Sequence, residues 1–183
     1  MSKVVVVTGY KSFELGIYNQ SHQAIPYIKK AIQRELQAFL DDGLEWVMIS
    51  GTIGVELWAA EVVFDLQLDY PHLKLAVITP FLNQERFWNE QNREYYEMIL
   101  SQADYVESLS KEEYQSPKQF FNRNVFFLKK SDGAIIVYDE EREGSPKYFY
   151  DLAKKYQQTH PYDLRFVTMY DLQSIVEEEI RIE

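Results

Sequence analysis

The chain contains no cysteine, which removes disulfides, thiolate metal sites and a cysteine nucleophile in one step. It lacks any apolar run near the roughly 20 residues that a membrane-spanning helix requires, so no membrane span is expected. The histidines number three, and His22, His72 and His160 have no partner at helical spacing, so no metal site is expected either. Basic residues are outnumbered, 19 against 29 acidic ones, for a net charge of −10. Binding along a nucleic-acid backbone rests on releasing counterions with Lys and Arg, so a nucleic-acid partner is not expected. A small phosphorylated ligand needs only a few amides and one or two cations, and that class stays open. Met1-Ser2-Lys3 followed by four valines is too short for a secretory apolar region and reads as a first strand, while the lack of cysteine makes a cytoplasmic location the expectation. The acidic run Glu177-Glu178-Glu179 reads as solvated surface.

Several nucleotide motifs are missing as well. Gly51-x-x-Gly54 is not G-x-G-x-x-G, and the strand after it ends at Thr79-Pro80-Phe81 with no acid for a ribose, which disfavours a conventional NAD site. No Gly-Lys-Ser/Thr triplet is present for a P-loop, and no G-x-S-x-G elbow for a serine hydrolase.

What is present is an alternation of short β-rich runs and longer helical patterns, the signature of an α/β fold with a mostly parallel central sheet between helical layers. Strands are predicted near 3–8, 45–50, 73–79, 103–108, 133–138 and 164–169. Ile25, Ile28, Ile32, Leu36 and Phe39 give one helix its apolar stripe, ended by Asp41-Asp42-Gly43, and Val55, Ala59, Val62 and Leu66 give another. Further helices are predicted over about 85–100, over 117–130, and after Ser145-Pro146, with Ser145 as N-cap and Pro146 in the first turn. Residues 108–117 read as a surface loop over the ligand edge. No linker or internal repeat divides the chain, so residues 1–183 read as one domain.

The strand-to-helix turn Ser50-Gly51-Thr52-Ile53-Gly54-Val55-Glu56 carries the functional signal. Glycines allow close approach to an anion, and first-turn amides carry the positive end of the helix dipole. Val4 to Val7 run into a second such turn, Thr8-Gly9-Tyr10-Lys11, and the strand at 133–138 leads to a third at Gly144-Ser145-Pro146. If the strands are parallel, all three open on one carboxyl edge. The amides of residues 9–11, 51–54 and 144–146 are therefore expected to hold phosphates. Lys11 is a candidate cation there and Arg123 a second, although Arg123 also suits a solvated helix face. Glu56 faces a ribose, acts as an acid or base, or simply stabilises the helix start. Tyr10, Phe81 and Tyr138, with Thr79 and Pro80, end strands at the same edge, where an aromatic ring stacks a base or packs the core.

These residues give the chain a resemblance to the YpsA-like family. The carriers are Thr8-Gly9-Tyr10-Lys11, Phe13-Glu14-Leu15-Gly16, residues 49–61 from Ile49 to Glu61, and residues 76–81 from Ala76 to Phe81. Gln102-Ala103-Asp104-Tyr105, Lys130-Ser131-Asp132-Gly133 and residues 143–148 add to them. The resemblance implies a Rossmann-like domain of the SLOG superfamily, which includes the DNA-processing protein DprA and the LOG phosphoribohydrolases. It implies that Gly54 and Glu56 are the functional Gly-x-Glu pair and that the ligand derives from a nucleotide, such as ADP-ribose or NAD. It also implies a role in control of cell division, through a division-protein partner. The second LOG motif, Pro-Gly-Gly-x-Gly-Thr with paired glutamates, is reduced here to Gly144-Ser145-Pro146. Three readings follow: a ligand-binding sensor, a nucleotide N-glycosidase with Glu56 as its catalytic carboxylate, and a protein-interaction regulator whose ligand site has decayed.

Overall fold

A computed structural model describes residues 2–182. Six strands form one sheet: β1 (Val4–Gly9), β2 (Trp46–Ile49), β3 (Lys74–Thr79), β4 (Tyr105–Ser108), β5 (Gly133–Val137) and β6 (Asp163–Val167). Every pairing is parallel, and the strands lie in the order β4-β3-β2-β1-β5-β6. The helices between and after them are α1 (Ile25–Asp41), α2 (Val55–Leu66), α3 (Glu90–Gln102), α4 (Lys118–Lys130), α5 (Lys147–Gln157) and α6 (Met169–Ile182).

The central strands are apolar because both faces are covered. Val5, Val6 and Val7 of β1 and Ala134 to Val137 of β5 are wholly inaccessible to water, so these runs do not alternate with polar residues as a half-exposed strand would. Full burial of each Val or Ile side chain contributes about 1.5–3 kcal/mol. Parallel neighbours need right-handed crossovers. The steps β1 to β2 to β3 to β4 move one way across the sheet and the steps β4 to β5 to β6 the other, which places α1, α2 and α3 on one face and α4 and α5 on the opposite one. Packing agrees: α1 contacts α2 and α6, α2 contacts α3, and α4 contacts α5. The arrangement is a Rossmann-like three-layer sandwich.

Strand order reverses between β1 and β5. Chain leaving β1 turns to one face and chain leaving β5 to the other, opening a crevice at their carboxyl ends, the place where open α/β sheets take ligands.

Local departures from expectation have local causes. Helix α3 starts at Glu90 because Asn89 caps it, its side chain accepting from the Asn92 amide at 2.8 Å; the preceding segment turns through Asn83 at φ 57°. Ser145 does not cap α5, which begins at Lys147, because its side chain has another partner. The run Glu177-Glu178-Glu179 lies on α6, where Glu178 pairs with Arg34 and Glu179 with Lys30 on α1.

Candidate functional site

The turns after β1 and β2 are stitched to each other. Ser12 N donates to Ile53 O and Val55 N to Tyr10 O, each at 3.1 Å. Gly54 sits at the crossing with φ 129°, a conformation open to glycine. A Cβ there would lie 2.6 Å from both Tyr10 O and Ser12 N. Gly9 is similarly confined, since a Cβ would come within 2.7 Å of Val55 and 2.8 Å of Val137. These glycines let two strand-end loops and the start of α2 occupy one small volume.

Glu56, in the first turn of α2, is 3% exposed and reaches back into the β2 turn. Its Oε1 accepts from Ser50 N at 2.6 Å, Ser50 Oγ at 2.9 Å and Gly51 N at 3.0 Å. Its Oε2 accepts from Thr8 Oγ1 at 2.9 Å. The carboxylate thereby ties the end of β1 to the end of β2. Arg123 on α4 donates to Ser50 Oγ at 3.2 Å. Burial lowers the basicity of its guanidinium, while the charge of Glu56 acts the other way; the group remains a cation.

A second carboxylate performs the same task on the other side of the crevice. Glu14, in a 3-10 turn at Ser12–Leu15, accepts from Lys11 N at 2.8 Å, Ser145 Oγ at 2.6 Å and Ser145 N at 2.7 Å. Partial burial raises its pKa, but these hydrogen bonds and the Lys11 charge prevail, and the net displacement is downward. Tyr10 secures the intervening loop: its hydroxyl donates to Arg142 O at 2.6 Å and accepts from Asp139 N at 2.8 Å.

A cavity of about 660 Å³ opens where these loops meet. Thr8, Gly9, Lys11, Thr52, Glu56, Ser145 and Pro146 border it from the strand ends, with Arg123 and Asn124 from α4. First-turn residues of α2 (Glu56), α4 (Phe120, Phe121) and α5 (Tyr148, Phe149) all line it. Among the described residues no cluster of His, Asp and Glu is arranged to hold a metal ion.

The other residues singled out from the sequence stand back from this space. Ser50 and Gly51 are buried beneath Glu56. The amides of Lys11, Gly51 and Ser145 donate to Glu14 and Glu56 rather than facing the cavity unpaired. Tyr10 and Tyr138 are buried against each other with ring centroids 5.6 Å apart. Thr79 is hydrogen-bonded to Ser108 at 2.6 Å, and Pro80 is buried with it. Phe81 packs on Phe120, itself a cavity residue, at 5.5 Å. Gly144 holds a close approach to Glu14, whose Oε2 lies 2.5 Å from where a Cβ would stand.

Sequence reasoning missed Glu14 as a site residue and most of the wall formed by α4 and α5. A signal for Glu14 existed, because a glutamate three residues after a turn start commonly reaches back to its amide. The wall residues Phe120, Phe121, Tyr148 and Asp151 carry no such signal.

Comparisons with known proteins bear on the family and the fold. The YpsA family model, that of the YspA SLOG family, matches residues 5–172. UPF0398 proteins of Bacillus thuringiensis (strain Al Hakam) and Bacillus cereus (strain AH187) are each 59% identical over 177 residues, covering 97% of this chain and 96% of theirs. Among solved structures, DNA processing protein A from Helicobacter pylori, studied for its single-stranded DNA binding mode, superposes with a TM-score of 0.54. The match covers 98% of this chain and 81% of that one at 18% identity, a likeness of fold. On the strength of a match spanning almost its whole length, the chain belongs to the YspA SLOG family.

Proposed function

We propose that this protein is a sensor that binds a nucleotide-derived, phosphate-bearing ligand of the ADP-ribose or NAD class in the cavity at the β1/β5 reversal. The observation that carries the reading is the convergence of three helix starts with Lys11 and Arg123 on one cavity of about 660 Å³. Phosphate oxygens lie against the Lys11 ammonium, the Arg123 guanidinium and the start of α2, where charge and dipole both favour an anion. Because Glu14 and Glu56 occupy the amides of Lys11, Gly51 and Ser145, side-chain cations do more of this work than the amides the sequence suggested. Glu56 Oε1 carries three donors and Oε2 one, so Oε2 retains capacity for a ribose hydroxyl.

The same arrangement favours binding over glycosidic cleavage. Four hydrogen bonds from Thr8, Ser50 and Gly51 converge on Glu56 and favour its ionised form over the protonated form a general acid needs. A net charge of −10 also disfavours the DNA binding for which the Helicobacter protein was studied. The single domain over residues 1–183 acts as one binding unit in this reading, and division control through a protein partner follows ligand occupancy.

Thermal unfolding with AMP, ADP, NAD and ADP-ribose tests it. Ligand at 100 times its Kd adds about 2.7 kcal/mol, which raises Tm by roughly 5–10 °C for a domain of this size. Absence of any shift contradicts the reading, and release of free base from a nucleoside monophosphate replaces it with the hydrolase.

A further inference from the structure

The cavity has two ends of different chemistry. Toward the strand ends it is polar and cationic. The far wall is aromatic: Phe120 and Phe121 from α4 face it along with Tyr148 and Phe149 from α5. Phe121 is 54% exposed and Tyr148 77% exposed, so two large rings at the starts of neighbouring helices meet water at the mouth of a cavity that has room for more than a phosphate. A flat apolar group laid on such rings removes their faces from water at little conformational cost.

Beyond the rings lie Asp151 and Lys155, one turn apart on α5 and both on the cavity lining. Their neighbours of the same type are already paired, Lys147 with Glu143 and Lys154 with Glu140. Among the described residues, Asp151 and Lys155 have no ion-pair or side-chain hydrogen-bond partner. An acceptor and a donor stand side by side at the end of an aromatic wall.

Resting on the nucleotide reading above, we propose that the α4–α5 wall is a nucleobase subsite. Phe121 and Tyr148 stack the base, Asp151 accepts a hydrogen bond from its exocyclic amine, and Lys155 donates to the neighbouring ring nitrogen or carbonyl. The ligand class is thus a nucleotide with an amino-bearing base, as opposed to a phosphosugar alone.

The test is calorimetric titration of the full chain with ribose 5-phosphate and two nucleotide pairs that differ by one exocyclic amine: AMP against purine riboside 5′-monophosphate, and GMP against IMP. Stacking predicts that the nucleotides bind at least about tenfold more tightly than ribose 5-phosphate. Tyr148→Ala should remove that advantage while leaving ribose 5-phosphate binding unchanged. In the tighter pair, loss of the amine should cost about tenfold in the wild type and nothing in Asp151→Ala, since a hydrogen bond to a charged group is worth about that factor. Asp151 and Tyr148 are both exposed, so neither substitution removes core packing. If ribose 5-phosphate binds as tightly as the nucleotides, or the amine makes no difference in either pair, or its effect survives in Asp151→Ala, this proposal is overturned while the phosphate site stands. If none of the five binds, this proposal is overturned, and the nucleotide reading falls with it when ADP-ribose and NAD also leave Tm unchanged.

Discussion

Replacing Glu56 by Ala removes the acceptor for four donors at once, and the consequences for each donor differ. Thr8 Oγ1 borders the cavity and can turn to water, whereas Ser50 Oγ keeps only the bond it already accepts from Arg123 at 3.2 Å and loses the acceptor for its own hydrogen. The amides of Ser50 and Gly51 have no such recourse, because both residues are buried. A buried donor left unpaired costs about 1–3 kcal/mol, so the two together cost about 2–6 kcal/mol, toward the lower end if water follows the lost side chain inward. For a domain of this size each kcal/mol lowers Tm by about 2–4 °C. Glu56→Gln behaves differently: its amide oxygen can keep all three donors on the Oε1 side, while its NH₂ faces Thr8, whose hydroxyl reverses to accept. We expect Glu56→Gln to retain most of the stability that Glu56→Ala loses. Urea unfolding followed by far-UV circular dichroism measures both, with an unchanged m-value confirming that the folded state is the one affected. Equal losses in the two variants, or an Ala variant within about 0.5 kcal/mol of wild type, would refute the assignment of Glu56 as the clamp on the β2 turn.

Other consequences are equally direct. Gly54→Ala places a Cβ 2.6 Å from two backbone atoms at φ 129°, so it should lower stability by about 3 kcal/mol or more, read in the same urea experiment; it is not a clean binding mutant. Tyr10→Phe leaves the Asp139 amide without its acceptor and should cost about 1–3 kcal/mol by thermal unfolding. Ser12 Oγ is the one buried side-chain polar atom without a partner among the described residues, so Ser12→Ala should be neutral or stabilising by up to about 1 kcal/mol. The depressed pKa of Glu14 means that its contribution is present above its ordinary carboxyl value and is lost as pH falls through the folded-state value. Stability measured from pH 6 down to pH 3 should fall less steeply in Glu14→Gln than in the wild type, and identical profiles would remove Glu14 from the account.

Much of the architecture was legible because it depends on local composition. The four inner strands are runs dominated by β-branched and apolar residues, the edge strands β4 and β6 mix such residues with charged ones, and the crossover helices carry stripes at helical spacing, so neither required knowledge of distant contacts. Helix α6 went unread because its apolar positions, Met169, Leu172 and Ile175, are interspersed with polar and acidic residues, and its packing on α1 decides its existence. The turns at Gly9, Gly51 and Gly54 were legible from glycine placement after strands. Their internal wiring was not. Glu14 meets Ser145 across 131 positions of sequence, and no periodicity announces which carboxylate fills which group of amides. The facing of α4 against α5 is likewise a tertiary fact, so Phe121, Tyr148, Asp151 and Lys155 look in sequence like ordinary amphipathic helix residues.

The central claim is that a nucleotide-derived ligand occupies the cavity between the strand ends and the α4–α5 wall. An amide-resolved NMR titration of the wild type with ADP-ribose tests this most directly, because it reports binding and location together. The account predicts saturable shifts concentrated at residues 8–11, 52–56, 117–124 and 145–155, with the peripheral strand β4 unmoved. A spectrum that does not change at millimolar ligand, or shifts centred away from these segments, would contradict it.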